Sequence, residues 1–395
     1  MTNSTPGSSK RKFVALLAAS AVGLFAYFYW AKTRTSSPPE LASRPELPQA
    51  APQAVEPGAV NSPSSSTNAE PVAEPESGPK SKSATEPRPP SKTAPHVAEA
   101  SAQPVSPPRQ ILFRYMATDS HYGKLAVAGY PDVSQLRFIN DFSCQVVHFA
   151  AGVGICLTAD RGVFTKYGAD LFNSEFERSF HIDLEGIPSR CRVSPDGKLA
   201  AWTVFVTGHS YDSVDFSTQT MLIHTANGEP LGDLEKFAVT FDGRPFQSPD
   251  FNFWGVTFTA DSKSFYCTLS SQRKHYLVRG DIGSRTVAVI RENVECPSLS
   301  PDGTKIAFKK RFVIDKRVVW KLHILDLATM QDSPLVEERS VDDQLAWLDN
   351  SHVLYTLPAT QTRSSATTSV WMAAIDGSEP PKLFLPVAYS PVVIR

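Results

Sequence analysis

The sequence predicts an all-β domain, a β-propeller of six blades, and three observations carry that reading. The first is a repeated hairpin: Val193-Ser194-Pro195-Asp196-Gly197-Lys198-Leu199-Ala200-Ala201-Trp202 returns as Leu299-Ser300-Pro301-Asp302-Gly303-Thr304-Lys305-Ile306-Ala307-Phe308. In each copy a strand runs into Pro-Asp-Gly, where proline pre-sets φ, aspartate hydrogen-bonds the backbone and glycine supplies a positive φ. A degenerate copy, Phe258-Thr259-Ala260-Asp261-Ser262-Lys263-Ser264-Phe265-Tyr266-Cys267, lies between them with the same spacing from its aspartate onward. The second observation is that apolar segments after residue 108 are short, β-branched or aromatic and bounded by Gly, Pro, Asp or Asn, with no long amphipathic helix among them. The third is length: residues 109–395 divide into six units of roughly 48 residues, the size of a four-stranded blade.

In chain order, residues 1–12 form a short polar tail ending in Lys10-Arg11-Lys12. Residues 13–31, FVALLAASAVGLFAYFYWA, carry no charge, and at about 1.5 Å per residue such a helix just spans the ~30 Å hydrocarbon core of a bilayer. Tyr27, Tyr29 and Trp30 suit a membrane interface, and the basic flank predicts a cytoplasmic N-terminus with the rest extracytoplasmic. A cleaved signal peptide is the alternative, given the small residues Ala18, Ala19, Ser20 and Ala21. Cleavage there would leave a short apolar region, and the run continues beyond it, which favours a signal anchor. Residues 32–108 hold 17 of the 32 prolines and no aromatic residue. They read as a disordered tether, unable to bury enough surface to offset its ordering entropy. The expected organisation is a tail (1–12), a transmembrane helix (13–31), a linker (32–108) and a propeller (109–395).

Within the propeller, ILFRYM, KLAVAGY and SQLRFI begin the first blade without an inner strand. QVVHFA, GICLT, VFTKYGADLF and RSFHIDL form the second, and RCRVS, KLAAWTVFV, TMLIHTA and PLGDL the third. WGVTFT, SFYCTL, HYLVRGDI and TVAVIRE form the fourth, PSLS, KIAFKK, KLHILDL and SPLVEE the fifth, and QLAWL, HVLYTL, SVWMAAI and PKLFL the sixth. Ala388-Tyr389-Ser390-Pro391-Val392-Val393-Ile394 resembles the opening strand Val294-Glu295-Cys296-Pro297-Ser298-Leu299-Ser300. It is expected to complete the first blade by pairing with the sheet of residues 111–138, which hides both edge strands.

The S-P-D-G-x-x-[IL]-A-[FW] hairpin resembles the TolB-type propeller repeat, and residues from about 111 to 395 resemble the bacterial group of TolB-like translocation proteins. HYGKLAVA, NFWGVTFTADSKSFY, ECPSLSPDGTKIAFKKR and RSVDDQLAWLD carry the likeness. It implies a six-bladed TolB-like propeller that binds proteins at the cell envelope. The family's namesake has a folded α/β domain before its propeller, where this chain has an apolar segment and a Pro-rich tether. Partners therefore do not transfer with the fold.

Residues 109–395 hold 29 basic and 32 acidic residues, without the basic footprint of a nucleic-acid-binding domain. The nine histidines are scattered, no spacing matches a zinc site and no loop alternates carboxylates as an EF-hand does, so neither metal nor cofactor is expected. Gly208-His209-Ser210-Tyr211-Asp212 begins like a nucleophile elbow but lacks the second glycine and the strand-to-helix setting. The five cysteines, an odd number, argue against a disulfide framework. Cys144, Cys191 and Cys296 fall near the starts of opening strands, where three thiols could gather on a soft metal, although a buried core cysteine is the commoner role.

Loops alternate between the two ends of an antiparallel blade. The tight Pro-Asp-Gly turns fall at one end; the longer loops 118–123, 208–218, 237–252, 312–318, 339–343 and 358–368 fall at the other, where binding is expected. Its candidate residues are Asp119, His121, Tyr122, His209, Tyr211, Asp212, Asp215, Asp242, Arg244, Asp250, Asn252, Trp254, Arg339, Asp342 and Asp343. Aromatic residues and arginine are enriched at protein interfaces, while the aspartates serve equally as turn-stabilising residues. The expected function is a membrane-anchored, extracytoplasmic propeller that binds an envelope protein or peptide, rather than an enzyme. The alternative is a glycan-binding or glycan-hydrolysing propeller with two of Asp119, Asp212, Asp215, Asp250, Asp342 and Asp343 ~5 to 10 Å apart. A third reading is a folded spacer without a shared pocket.

Overall fold

A computed structural model of the chain describes residues 109–211, 216–359 and 367–395; the tail, the apolar segment 13–31, the linker 32–108, Asp212 and Asp215 lie outside the described residues. Strands β1 (Gln110–Tyr115), β2 (Lys124–Gly129) and β3 (Leu136–Ser143) begin the domain. Blade 2 is β4 (Val146–Ala150), β5 (Val153–Arg161), β6 (Thr165–Phe172) and β7 (Arg178–Leu184); blade 3 is β8 (Ile187–Val193), β9 (Leu199–Thr207), β10 (Ser217–His224) and β11 (Pro230–Asp233). After a 3-10 turn, Leu234–Lys236, come β12 (Ala238–Phe241) and β13 (Arg244–Phe246), then blade 4: β14 (Asn252–Phe258), β15 (Ser264–Ser271), β16 (Lys274–Asp281) and β17 (Thr286–Glu292). Blade 5 is β18 (Glu295–Leu299), β19 (Lys305–Ile314), β20 (Arg317–Asp326) and β21 (Asp332–Pro334). Blade 6 is β22 (Ala346–Trp347), β23 (His352–Pro358), β24 (Thr368–Ala374) and β25 (Lys382–Leu385), and the last strand is β26 (Ala388–Ile394). Among the described residues no helix is long and apolar enough to cross a membrane.

Ring closure follows the expectation from the sequence. β26 pairs antiparallel with β1, Ile111 opposite Val393 and Leu112 opposite Val392, so the first blade takes its inner strand from the far end of the domain. The core lies between blades. Phe113, Ala126, Leu348, Leu354 and Val393 pack blade 1 on blade 6, and Phe142, Phe149, Phe172 and Val392 pack blade 1 on blade 2.

The Pro-Asp-Gly turns behave as their chemistry dictates. Asp302 accepts from the Thr304 N–H at 3.0 Å and from the Ser300 hydroxyl, and Gly303 has φ +72°. In the degenerate copy Ser262 takes the glycine position at φ +54°, and its hydroxyl donates to Asp196 of the blade 3 turn at 2.9 Å.

Two expectations are corrected. Residues 237–252 are not simply a loop: β12 and β13 form a hairpin on the Asp242-Gly243 turn, and β12 pairs in parallel with β17, so blade 4 carries six strands. The alternation of Val239 and Phe241, broken by an Asp-Gly pair, is the sequence signal for this hairpin; Val239 is buried against Phe237 and Val287. Secondly, Cys144 and Cys156 form a disulfide. Cys156 on β5 stands opposite Val147 on β4, which brings it against the residue that leads into β4. Cys144 is therefore not free to join Cys191 and Cys296 on a metal; those two and Cys267 are buried thiols.

Candidate functional site: the axial channel

The inner strands β4, β8, β14, β18, β22 and β26 surround the axis. Near their ends stand Phe149, Val193, Phe258, Leu299, Trp347 and Val393, one from each blade, and all six line a single cavity of about 500 Å³. Pro195, Ala260, Pro301 and Gly303 of the tight turns form its rim, so this funnel opens at the turn end of the propeller. One position deeper, His148, Arg192, Thr257, Ser298, Ala346 and Val392 line it as well. Below them the channel narrows to a cavity of about 30 Å³ among His148, Arg190, Arg192, Asp343 and Tyr389, room for a water or two.

The inner ring is bonded from blade to blade. His148 Nδ1 accepts the Val193 N–H at 3.0 Å, Thr257 Oγ1 accepts the Leu299 N–H at 3.1 Å, and Trp347 Nε1 donates to the Ser298 carbonyl at 2.8 Å. His148 and Thr257, at equivalent positions in the repeat, thus brace blade 2 on blade 3 and blade 4 on blade 5, and Trp347 braces blade 6 on blade 5. Burial, and then the positive charges of Arg192 and Arg395, hold the His148 imidazole well below its ordinary pKa and keep it neutral. Burial pulls the Arg192 guanidinium down to about 10, still cationic at neutral pH.

The loop end of the channel is built differently. Lys309 on β19 stands opposite Glu295 on β18, and both side chains are fully buried. Glu295 accepts from Trp320 Nε1 at 3.0 Å and faces His275 Nδ1 at 3.1 Å, while Lys309 also binds Asp342. Burial opposes the Glu295 charge, but Lys309, His275 and Trp320 outweigh it and hold the carboxyl at about 2. Lys309 is likewise raised: Asp342 and Glu295 outweigh the burial that disfavours its charge. Tyr211 stacks on Trp254 with ring centroids 4.6 Å apart, and the Arg190 guanidinium lies 5.5 Å over the Tyr211 ring.

Of the residues picked out from sequence, Tyr211, Trp254 and Asp343 are buried in this plug and Asp342 joins its ion pair. Asp343 accepts the N–H groups of Gln344 and Thr356 at 2.8 and 2.9 Å. Tyr211, Asp250 and Asn252 also line a cavity of about 650 Å³ at the loop end with Arg273, Lys274, His275 and Arg311. Asp250 is tied to Ser248, Ser271 and the Gln272 N–H. The others are dispersed. Asp119 accepts from Tyr115 Oη at 3.0 Å and the His121 N–H at 2.8 Å, His121 stacks on Phe138, and Tyr122 lies under Arg114. His209 is exposed. Asp242 and Arg244 sit on the outermost hairpin of blade 4, and Arg339 pairs with Glu337 and covers the Trp371 ring at 3.9 Å.

Sequence reasoning missed His148, Arg190, Arg192, Glu295 and Lys309. The signal was present: in V-V-H-F-A and R-C-R-V polar residues interrupt an inner strand, and in K-I-A-F-K-K Lys309 falls in phase with the buried Ala307. Among the described residues no group of three His, Cys, Asp or Glu side chains is placed to hold a metal ion.

No protein-family model and no curated protein matches the chain. Among solved structures it is similar to TolB from Acinetobacter baumannii, with a TM-score of 0.52 and 18% identity over 73% of this chain and 67% of that one. A protein assigned as TolB from Agrobacterium tumefaciens aligns at a TM-score of 0.45 and 12% identity over 72% and 91% of the two chains. A chain of a nidogen/laminin complex aligns at 0.49 and 11% over 72% and 98%. With six sheets around one axis, five of four strands and one of six, the fold is a TolB-like six-bladed β-propeller.

Proposed function

We propose that this TolB-like propeller is a binding module that takes an extended peptide or protein segment into its axial funnel, held outside a membrane by residues 13–31 and spaced from it by residues 32–108. The funnel carries the reading: every blade contributes an apolar wall residue to one cavity of about 500 Å³, within the range of ligand pockets. The Cys144–Cys156 disulfide supports an oxidising, extracytoplasmic compartment. A second surface is favoured by the loop-end cavity around Tyr211, Asp250 and Asn252; the dispersed loop residues Asp119, His121, Tyr122, His209, Asp242 and Arg244 are proposed as contacts for a further partner. The glycan reading gains nothing from Asp250, Asp342 and Asp343, each committed to its own bonds.

The test is site-specific photocrosslinking in the native cell, with the crosslinker at Leu299 in the funnel wall or at His209 at the loop end. An envelope protein captured from Leu299 supports the funnel as the port. Adducts from His209 alone would move the port to the loop end.

A further inference from the structure

We infer that the floor of the funnel is a carboxylate-binding site, so that the segment taken up presents an Asp, Glu or C-terminal carboxylate beside apolar side chains. The inference rests on the funnel being the port. His148 Nδ1 accepts the Val193 N–H at 3.0 Å. A neutral imidazole has one acceptor nitrogen, so the ring proton resides on Nε2. That N–H faces a guanidinium nitrogen of Arg192 at 3.1 Å, and a guanidinium offers donors only. Two donors therefore converge on the funnel floor with no acceptor between them.

The funnel does not supply one, and Asp343 in the small cavity below, whose charge favours that of Arg192, has its two oxygens on the Gln344 and Thr356 N–H groups. Among the described residues lining the funnel there is no Asp or Glu, whereas Arg192 and Arg395 both line it. Arg192 Nε reaches the Val256 carbonyl at 3.4 Å, and Arg395 is held to the wall by the Trp347 carbonyl at 2.7 Å. This contrasts with the loop end, where Glu295 and Asp342 answer Lys309. A carboxylate placed between His148 Nε2 and Arg192 accepts from both through charge-assisted bonds. One imidazole and one guanidinium match the two oxygens of a carboxylate, and the collar of Phe149, Phe258 and Trp347 suits the apolar flank of a peptide. The narrowing below His148 stops the ligand at this depth.

The experiment selects random twelve-residue peptide libraries, one with free C-termini and one internal, against the full chain. The selected peptides are then synthesised as acids and as amides, with Glu→Gln or Asp→Asn for side chains and a terminal amide for the C-terminus, and measured by fluorescence anisotropy. Neutralising one carboxylate is expected to weaken binding at least about tenfold, and which one does so identifies the source. In Arg192→Gln and His148→Gln the acid and the amide should bind alike; the comparison on the unmodified chain needs no variant. Peptides that are lost with Leu299→Arg, yet bind equally as acid and amide, overturn the carboxylate site and leave the port standing. Peptides indifferent to Leu299→Arg overturn both. Displacement by inorganic phosphate far better than by acetate at equal ionic strength would assign the floor to phosphate and overturn the inference.

Discussion

Ser390 Oγ accepts the Val147 N–H at 3.1 Å and donates to the Val147 carbonyl at 3.0 Å, joining residues 243 positions apart. One hydroxyl thus braces the inner strand of blade 1 against that of blade 2. Ser390→Ala leaves both backbone groups without their partner, at a cost of about 1–3 kcal/mol, read as a lower urea midpoint. Deleting residues 388–395 removes the whole inner strand and should unfold the domain; a truncated chain that melts with the full one would show that closure is not what holds the ring.

The Glu295–Lys309 pair predicts both a mutational and a pH effect. Lys309→Met strands a buried carboxylate and should cost about 3–5 kcal/mol, most of it recovered in Lys309→Met with Glu295→Gln. Glu295 is lowered from 4.5 to about 2 in the fold, and Asp332, beside Lys310 and Arg291, from 3.8 to about 2. As pH falls the unfolded chain takes up these protons first, so the stability they contribute is complete above about pH 4.5 and is lost toward pH 2. Melting temperature should drop through that window, less steeply in Glu295→Gln; a flat profile would contradict the pairing.

Thiol titration separates the cysteines. The native chain should show no fast-reacting thiol, the denatured chain three (Cys191, Cys267 and Cys296), and the denatured and reduced chain all five. Reduction of Cys144–Cys156 should cost about 2–3 kcal/mol for a loop of this size, measured as the difference in denaturation midpoint with and without reductant.

The two intact turns should differ in their tolerance of a side chain. At Gly303, φ +72°, a Cβ meets nothing within 4 Å, so Gly303→Ala costs only the left-handed strain, about 1–2 kcal/mol. At Gly197, φ +73°, a Cβ would lie 3.1 Å from both Ala151 Cβ and Ala151 O of the neighbouring blade. Gly197→Ala should therefore be the more damaging of the pair in thermal melts.

Blade number, closure and the four repeating strands of each blade were legible because a propeller repeats its turn chemistry: Asp196 and Asp302 make the same bonds to their own turns. The added hairpin β12–β13 of blade 4 lies outside that repeat and reads as a loop in the sequence. The sites were less legible. Loop length pointed to the end where Tyr211 and Trp254 turn out to be packing residues, because aromatic residues serve interfaces and interiors alike. The funnel depends on which inner-strand residues from six distant segments meet on the axis, and no local pattern encodes that meeting. The Cys144–Cys156 link was hidden by three further cysteines that merely fill the core.

Among the described residues the channel beneath His148 narrows to a cavity of about 30 Å³, so the funnel is a cup distinct from the loop-end cavity. On the two-port proposal, a guest in the cup and one on the loops behind it occupy separate spaces, so they neither compete nor hand cargo through. That proposal makes the ring a coupler with two sockets, its complexes assembling in either order at one guest per socket.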